Sequence, residues 1–325
     1  MKWLLINSIL LNFTLAFSQN DSVPYELLED KWILSSTLGY NTAPFIIKDD
    51  FGLTENTLNY KANMNPVLGF GFTHRWISLG FSFKLPGYIR DTQKFGETEY
   101  FDFDFRLNLW GWHFSGDIHY YDGFRIVNNS IEQNASNNQS LILKDLNTFS
   151  TSLNGYYFLD STYNTKAAFG MVGKYNAPTY SFYVKNTLNV HRIKNEQDKL
   201  LPPPLNNQGP SIWGAHNIGA VDGGIVPGFA YVNNINGWQF GGMVGAGAVV
   251  QAKYFSFSNQ TRVFFGLAPR VDLNFYAGYN KNNWFVMLHT NLDNKSIRFN
   301  DFTYRQIYYY IRLTIGIRID KFGSK

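Results

Sequence analysis

Between residues 101 and 109 apolar and polar side chains alternate without a break, a pattern that no helix can bury. On an extended chain Phe101, Phe103, Phe105, Leu107 and Leu109 share one face, and Asp102, Asp104, Arg106 and Asn108 share the other. The same period of two returns near the end of the chain. There Ile307, Tyr309, Ile311, Leu313, Ile315, Ile317 and Ile319 oppose Tyr308, Tyr310, Arg312, Thr314, Gly316 and Arg318. Residues 76–85 set Ile77, Leu79, Phe81 and Phe83 against Ser78, Gly80, Ser82 and Lys84. Residues 261–280 set Val263, Phe265, Leu267, Val271, Leu273 and Phe275 against Arg262, Arg270, Asp272 and Asn274.

A water-soluble sandwich also alternates, so two further features decide the class. Many of these strands run well past the roughly five or six residues of an average soluble strand. The polar face carries charge of both signs, while the apolar face carries almost none. A closed barrel in lipid asks for that division, with lipid outside and a polar lumen inside. Lipid also forbids an open edge, because unpaired backbone groups in hydrocarbon cost several kcal/mol each. Composition agrees. Aromatics make up 18% and charged residues only 16%, yet mean hydropathy is −0.23. Past the N-terminus there is no apolar run near the ~18 residues of a membrane helix. The expected fold is all-β: a single transmembrane antiparallel β-barrel of about twelve strands, placed in an outer membrane.

Residues 1–18 read as a signal peptide: Lys2, a short apolar core from Trp3 to Phe17, and the small-x-small site Ala16-Phe17-Ser18. The barrel domain is then 19–325. With no cysteine there are no disulfides, thiolate metal sites, Cys nucleophile or lipid-modified Cys anchor. A net charge of +4 gives no footprint for nucleic acid.

The strands are expected near 31–41, 57–73, 76–85, 99–109, 112–126, 146–158, 164–192, 223–233, 237–253, 261–279, 284–292 and 302–319. Pro66 and Pro178 fall inside two of them, and breaking both gives a fourteen-strand alternative. Keeping both whole makes long and short connections alternate, as outer-membrane barrels do. The short turns lie near 74–75, 110–111, 159–163, 234–236 and 280–283, and the long loops include the Asn/Ser-rich 128–140. Trp76, Trp110, Trp112, Trp238, Trp284 and Tyr308 to Tyr310 gather at strand ends, as an interfacial girdle would. The Gly-rich run 237–248 reads first as a place where the sheet bends and second as one where a neighbouring segment approaches closely.

The stretch 59–85 has Tyr60 and Asn63, then Gly69, Gly71 and Phe72, then Trp76 and a Leu-Gly-Phe-Ser-Phe-Lys strand ending at Pro86. It is followed by Gly96-Glu97-Thr98 before Tyr100-Phe101-Asp102, and by Tyr120-Tyr121-Asp122-Gly123-Phe124. In these residues the chain resembles an uncharacterised family of Bacteroidetes outer-membrane proteins. The resemblance implies a barrel and its location but no activity. The chain departs from that family at 174–186, which reads KYNAPTYSFYVKN where a Gln and a Ser-Ala-Gly-Ser element are usual.

Catalytic constellations are scarce. The sequence has no P-loop, no nucleotide fingerprint, no His-Glu-x-x-His and no Gly-x-Ser-x-Gly. No cofactor, metal site or catalytic residue is assigned. His113, Ser115, Asp117 and His119 share a strand face, either as an acid/base or metal cluster or as an interior hydrogen-bonded network. By parity the lumen-lining set is Lys84, Asp102, Asp104, Arg106, His113, Asp117, His119, Arg262, Arg270, Asp272, Arg312 and Arg318, with Lys174 and Lys253 facing the same way. These charges either select solutes in a pore or pair across the lumen and fill it. The expected partners are membrane lipid, with small solutes or envelope proteins. The leading expectation is a passive channel or transporter for small solutes or lipids. The alternatives are a non-conducting scaffold barrel and a lipid-modifying barrel enzyme.

Overall fold

The computed structural model describes residues 23–51, 56–87, 90–127, 142–202, 205, 210–257 and 260–320. The expected signal peptide and the loop 128–140 lie outside them. In chain order the strands begin with β1 (Tyr25–Leu27), β2 (Trp32–Thr42), β3 (Phe45–Lys48), β4 (Thr57–Lys61), β5 (Val67–His74) and β6 (Ile77–Lys84). A one-turn helix α1 (Thr92–Phe95) precedes β7 (Glu99–Leu109), β8 (Trp112–Ile126) and β9 (Ile142–Phe158). A second, α2 (Thr165–Ala168), precedes β10 (Gly173–Tyr175) and β11 (Thr179–Asn195). The chain then runs through the 3-10 turn Ser211–Gly214 into β12 (Asn217–Ile235), β13 (Trp238–Phe257), β14 (Gln260–Asn280), β15 (Trp284–Phe299) and β16 (Phe302–Ile319).

Twelve of these strands form a ring. The order is β2, β5, β6, β7, β8, β9, β11, β12, β13, β14, β15, β16 and back to β2, with every pairing antiparallel. The seam joins Trp32 to Ile319 and Thr42 to Tyr309. Each of the twelve expected strands supplies one ring strand, so the fold is an all-β barrel and the fourteen-strand count is set aside. The two prolines do interrupt their segments. The stretch 57–73 divides into β4 and β5, and 164–192 divides into α2, β10 and β11. Proline donates no ladder hydrogen bond, and here the chain leaves the ring beside it.

The wall is uneven in height. β5 and β6 have 8 residues each, whereas β13 and β14 have 20 and 21. The hairpin β3–β4 stands over the low side. It joins β16 at Gln306–Thr303 and β8 at Ile126–Arg125. The barrel is therefore closed by β2, β5, β6 and β7 at one level and by two strands at the next. Several strands outrun their expected limits at this end, and β12 starts at Asn217 rather than 223. Ladder pairing continues there without an apolar outer face to mark it.

The outward residues are apolar around the ring. Exposed side chains include Leu34 and Leu38 on β2, Phe81 and Phe83 on β6, Phe182 and Leu188 on β11, Phe265 and Leu267 on β14, and Ile311 to Ile317 at odd positions on β16. Trp32, Trp76, Trp110, Trp238 and Trp284 are exposed at the end with the tight turns. Tyr308, expected among them, is buried inside against the His119 ring. Among the described residues no helix is long and apolar enough to cross a membrane.

Candidate functional site

The interior is built in layers. Nearest the tight turns, residues 159–178 do not make a short turn. They fold into the mouth, because Asn164 caps α2 through the Lys166 N–H at 2.9 Å and β10 pairs with β1. Barrel side chains satisfy the backbone of this plug. Gln239 Nε2 donates to the carbonyls of Ala167 (2.7 Å) and Ala168 (2.8 Å). Arg318 donates to the carbonyls of Met171 (2.7 Å) and Gly170 (2.6 Å). Asn280 Nδ2 donates to the Gly173 carbonyl at 2.9 Å. Lys174, expected in the lumen, belongs to this plug and pairs with Glu26 at 3.1 Å. Lys166 pairs with Glu29 at 2.7 Å.

Above the plug lies a charged layer. His119 stands between two carboxylates, its Nδ1 2.6 Å from Asp102 and its Nε2 3.3 Å from Asp117. Both oxygens can only accept when ionised, so the arrangement suits a ring that carries both protons. Asp102 also accepts from Asn41 Nδ2 (2.7 Å) and from the Tyr121 hydroxyl (3.3 Å). Arg312 donates through Nε to Asn41 (3.0 Å) and through Nη1 to Asp104 (3.2 Å), tying β16 and β2 to β7. Across the barrel, Asp272 takes Lys185 (3.0 Å) and the Tyr183 hydroxyl (3.0 Å). Asp222 takes Arg270 (2.7 Å) and Asn189 (2.8 Å). Lys295 reaches Ser152 (3.0 Å) and Ser150. The inward glycines of 237–248 make room here: the position a Cβ would take at Gly245 lies against the Tyr183 hydroxyl, and that at Gly241 against Tyr276. The run thus permits close approach, the second of the two readings given to it.

The expected set is only partly brought together. Asp102, Asp104, Arg106, Asp117, His119, Asp272 and Arg312 line one cavity of about 120 Å³. His113 lines its lower end, bonded to Asn108 (2.8 Å) and packed on Phe169. Six residues of strand separate it from His119, on the order of 20 Å, so the two do not act as one cluster. Ser115 lines the cavity, yet no hydrogen bond to either histidine is present among the described residues. Arg270 is buried in the same layer on the far wall. Arg318 serves the plug. Lys84 sits at the low wall's upper end and donates to the Thr98 carbonyl at 3.2 Å. Lys253 is higher, near the Arg298 carbonyl. Arg262 does not line the lumen. It is exposed on the far end of β14, 5.2 Å from the Phe257 ring, where the strand has outrun the wall around it.

Over the charged layer the lumen holds an apolar core. Phe45, Tyr60, Phe124, Leu146, Ile193, Leu201, Trp213, Ile218, Phe255, Ile297 and Tyr304 are buried together there. The chain itself brings this material in, through β3–β4 and through Leu200, Leu201, Leu205, Ile212, Trp213 and Ala215. The Tyr60 hydroxyl donates to the Leu200 carbonyl at 3.0 Å, and burial raises its pKa so that it stays a neutral donor. Sequence parity missed part of this core. A bulge between Asp122 and Phe124, with Gly123 at φ +89°, reverses the facing of β8 and turns Phe124 and Ile126 inward. The signal for it was the glycine in Tyr121-Asp122-Gly123.

The residues that carried the family resemblance meet at the junction between the hairpin and the low wall. Asn63 donates to the Gly96 carbonyl (2.7 Å) and its backbone N–H to Thr98 Oγ1 (2.8 Å). Thr98 in turn donates to the Gly123 carbonyl (2.7 Å).

The family described as a domain of unknown function (DUF4421) matches residues 19–318. No curated protein sequence matches the chain. Among solved structures it is similar to the outer-membrane protease OmpT from Escherichia coli, at 9% identity and a TM-score of 0.37, over 90% of this chain and 98% of that one. It is also similar to the translocator domain of the autotransporter NalP from Neisseria meningitidis, at 11% identity and 0.40, over 97% and 95%. The toluene transporter TodX of Pseudomonas putida follows at 7% and 0.29, over 91% of each chain.

Proposed function

The chain belongs to the DUF4421 family, and from that footing we propose that it is an outer-membrane β-barrel that conducts nothing and serves as a structural or scaffold barrel of the envelope. The apolar belt and the tryptophans at the tight-turn end support a membrane setting, since a water-soluble monomer rarely exposes apolar patches beyond a few hundred Å². The tight turns then face the periplasm and the hairpin β3–β4 faces outward.

One observation carries the choice of scaffold over channel. A packed apolar core lies across the outer half of the lumen, built from residues on β3, β4, β8, β9, β11, β12, β13, β15 and β16 and from Leu200, Leu201, Leu205, Ile212, Trp213 and Ala215. Ions do not cross such a core, because stripping a charge of water costs far more than the core can return. The charges below it are largely spent on one another, which favours filling over solute selection. The enzyme reading needs a Ser/His or acid/base pair at the lipid-facing rim. His119 and Asp102 are instead inside the barrel.

Single-channel recording of the refolded protein in a planar bilayer tests the proposal. The expected record is silent for protein that shows the folded, heat-modifiable band on a gel. Steady conductance steps from such protein would overturn it.

A further inference from the structure

We propose that the charged layer contains a binding site for a small organic carboxylate, centred on Arg106, Arg312 and His289 and entered from the plug end. The cavity of about 120 Å³ does not end at the plug. It adjoins a second of about 70 Å³, and the two share Asp104, Arg106, His289, Tyr310 and Arg312. The second space follows the low wall, lined by Ser35, Thr37, Gly69, Gly71, Thr73 and Ser78. These side chains are small, and Thr73 and Ser78 flank the tight turn at Trp76. The plug, which reaches this space at Met171, therefore leaves a polar passage beside β5 and β6.

Three groups at the shared corner have unused capacity. Arg106 has a single ion pair among the described residues, to Asp104 at the long distance of 3.7 Å. Arg312 uses Nε on Asn41 and Nη1 on Asp104, and no described hydrogen bond uses its Nη2. His289 stands directly across the ladder from Arg312, and its buried Nε2 has no hydrogen-bond partner among the described residues. A buried nitrogen without a partner costs free energy unless something supplies one. Asp104 faces both guanidiniums, so its one negative charge meets two positive ones. Asp102 is turned away toward His119 and Asn41, and Asp272 is held by Lys185. The corner thus offers a free N–H fork, which a carboxylate accepts in the bidentate manner, while the carboxylates of Asp102 and Asp117 on the same cavity are turned to His119. The two spaces, of about 120 and 70 Å³, together admit a small organic acid of about the bulk of benzene. The site lies beneath the apolar core, so it is a closed-ended chamber and not a pore.

Only the side of entry rests on the proposed membrane orientation. Binding is measured on the full-length protein in detergent, where both ends meet solvent, so a wrong orientation cannot produce a negative result. Isothermal titration with acetate and with succinate is expected to show saturable binding of one of them, and glycerol is expected to show none. Arg106→Gln should weaken that binding about tenfold or more, the loss of one charge-assisted contact. His289→Ala, which removes no paired group, should weaken it by a smaller factor while leaving the folded gel band unchanged. Should Arg106→Gln fail to give that band, His289→Ala decides alone. Absence of saturable binding to the wild type, or wild-type affinity in the folded variants, would overturn the proposal.

Discussion

The upper and middle layers of the same lumen use the same strands in opposite ways. On β16, Arg312 and Arg318 face inward below, while Phe302 and Tyr304 face inward above. On β8, His113, Asp117 and His119 give way past the Gly123 bulge to Phe124 and Ile126. The middle layer spans the barrel with directed pairs that hold strands at fixed separations. The upper layer fills it with shape. The difference teaches that facing inward is a statement about geometry and not about chemistry: an inward face is polar only as far as the chain elsewhere leaves water there.

This contrast can be broken from either side. The largest effect is expected in the middle. Asp272→Asn leaves Lys185 buried without its counter-charge, at about 3–5 kcal/mol, read from the urea midpoint of the folded band. The pair Asp272→Asn with Lys185→Met should recover much of that loss. If the double variant is no better than the single one, the pair is not the unit described here. Next comes the outer surface at the same height. Leu313→Arg puts a charge on the face turned away from the lumen and should cost about 2–4 kcal/mol when the barrel inserts into lipid, with little loss in detergent. Equal losses in both media would contradict the lipid assignment. The smallest effect is expected above. Tyr60→Phe deletes one hydrogen bond to the Leu200 carbonyl while keeping the ring, at about 1 kcal/mol. A loss several times larger would mean that the upper layer, too, depends on directed polar contacts.

Much of the fold was legible because a strand's period survives any tertiary context. Parity placed Asp102, Asp104, Asp117, His119, Asp272 and Arg312 around one space, and the structure puts them there. Besides the bulge at Gly123, three things escaped it. Parity carries no vertical coordinate, so Arg262 received the same reading as Arg270 although it stands beyond the surrounding wall. Residues 159–178 contain Tyr163, Ala167, Ala168 and Phe169, apolar enough to pass for strand, and only Asn164-Thr165 and Pro178 marked a helix start and a break. His289 lay in the expected strand 284–292, whose limits stopped short of Asp293 and Lys295 on the same face, so nothing singled it out until Arg312 was found opposite.

The plug draws its holding contacts from distant parts of the chain. β1 lies at the start of the described residues, α2 and β10 near the middle, and Arg318 at the end of the last ring strand. Folding order follows from this. The mouth cannot be sealed while β16 is still unplaced, since the plug carbonyls of Gly170 and Met171 wait for Arg318. A barrel halted before its seam closes would therefore hold the β1–β10 pair and α2 through Gln239 and Asn280 without Arg318, and faster proteolysis at 160–178 would report that unfinished state before any loss of β-structure could be seen.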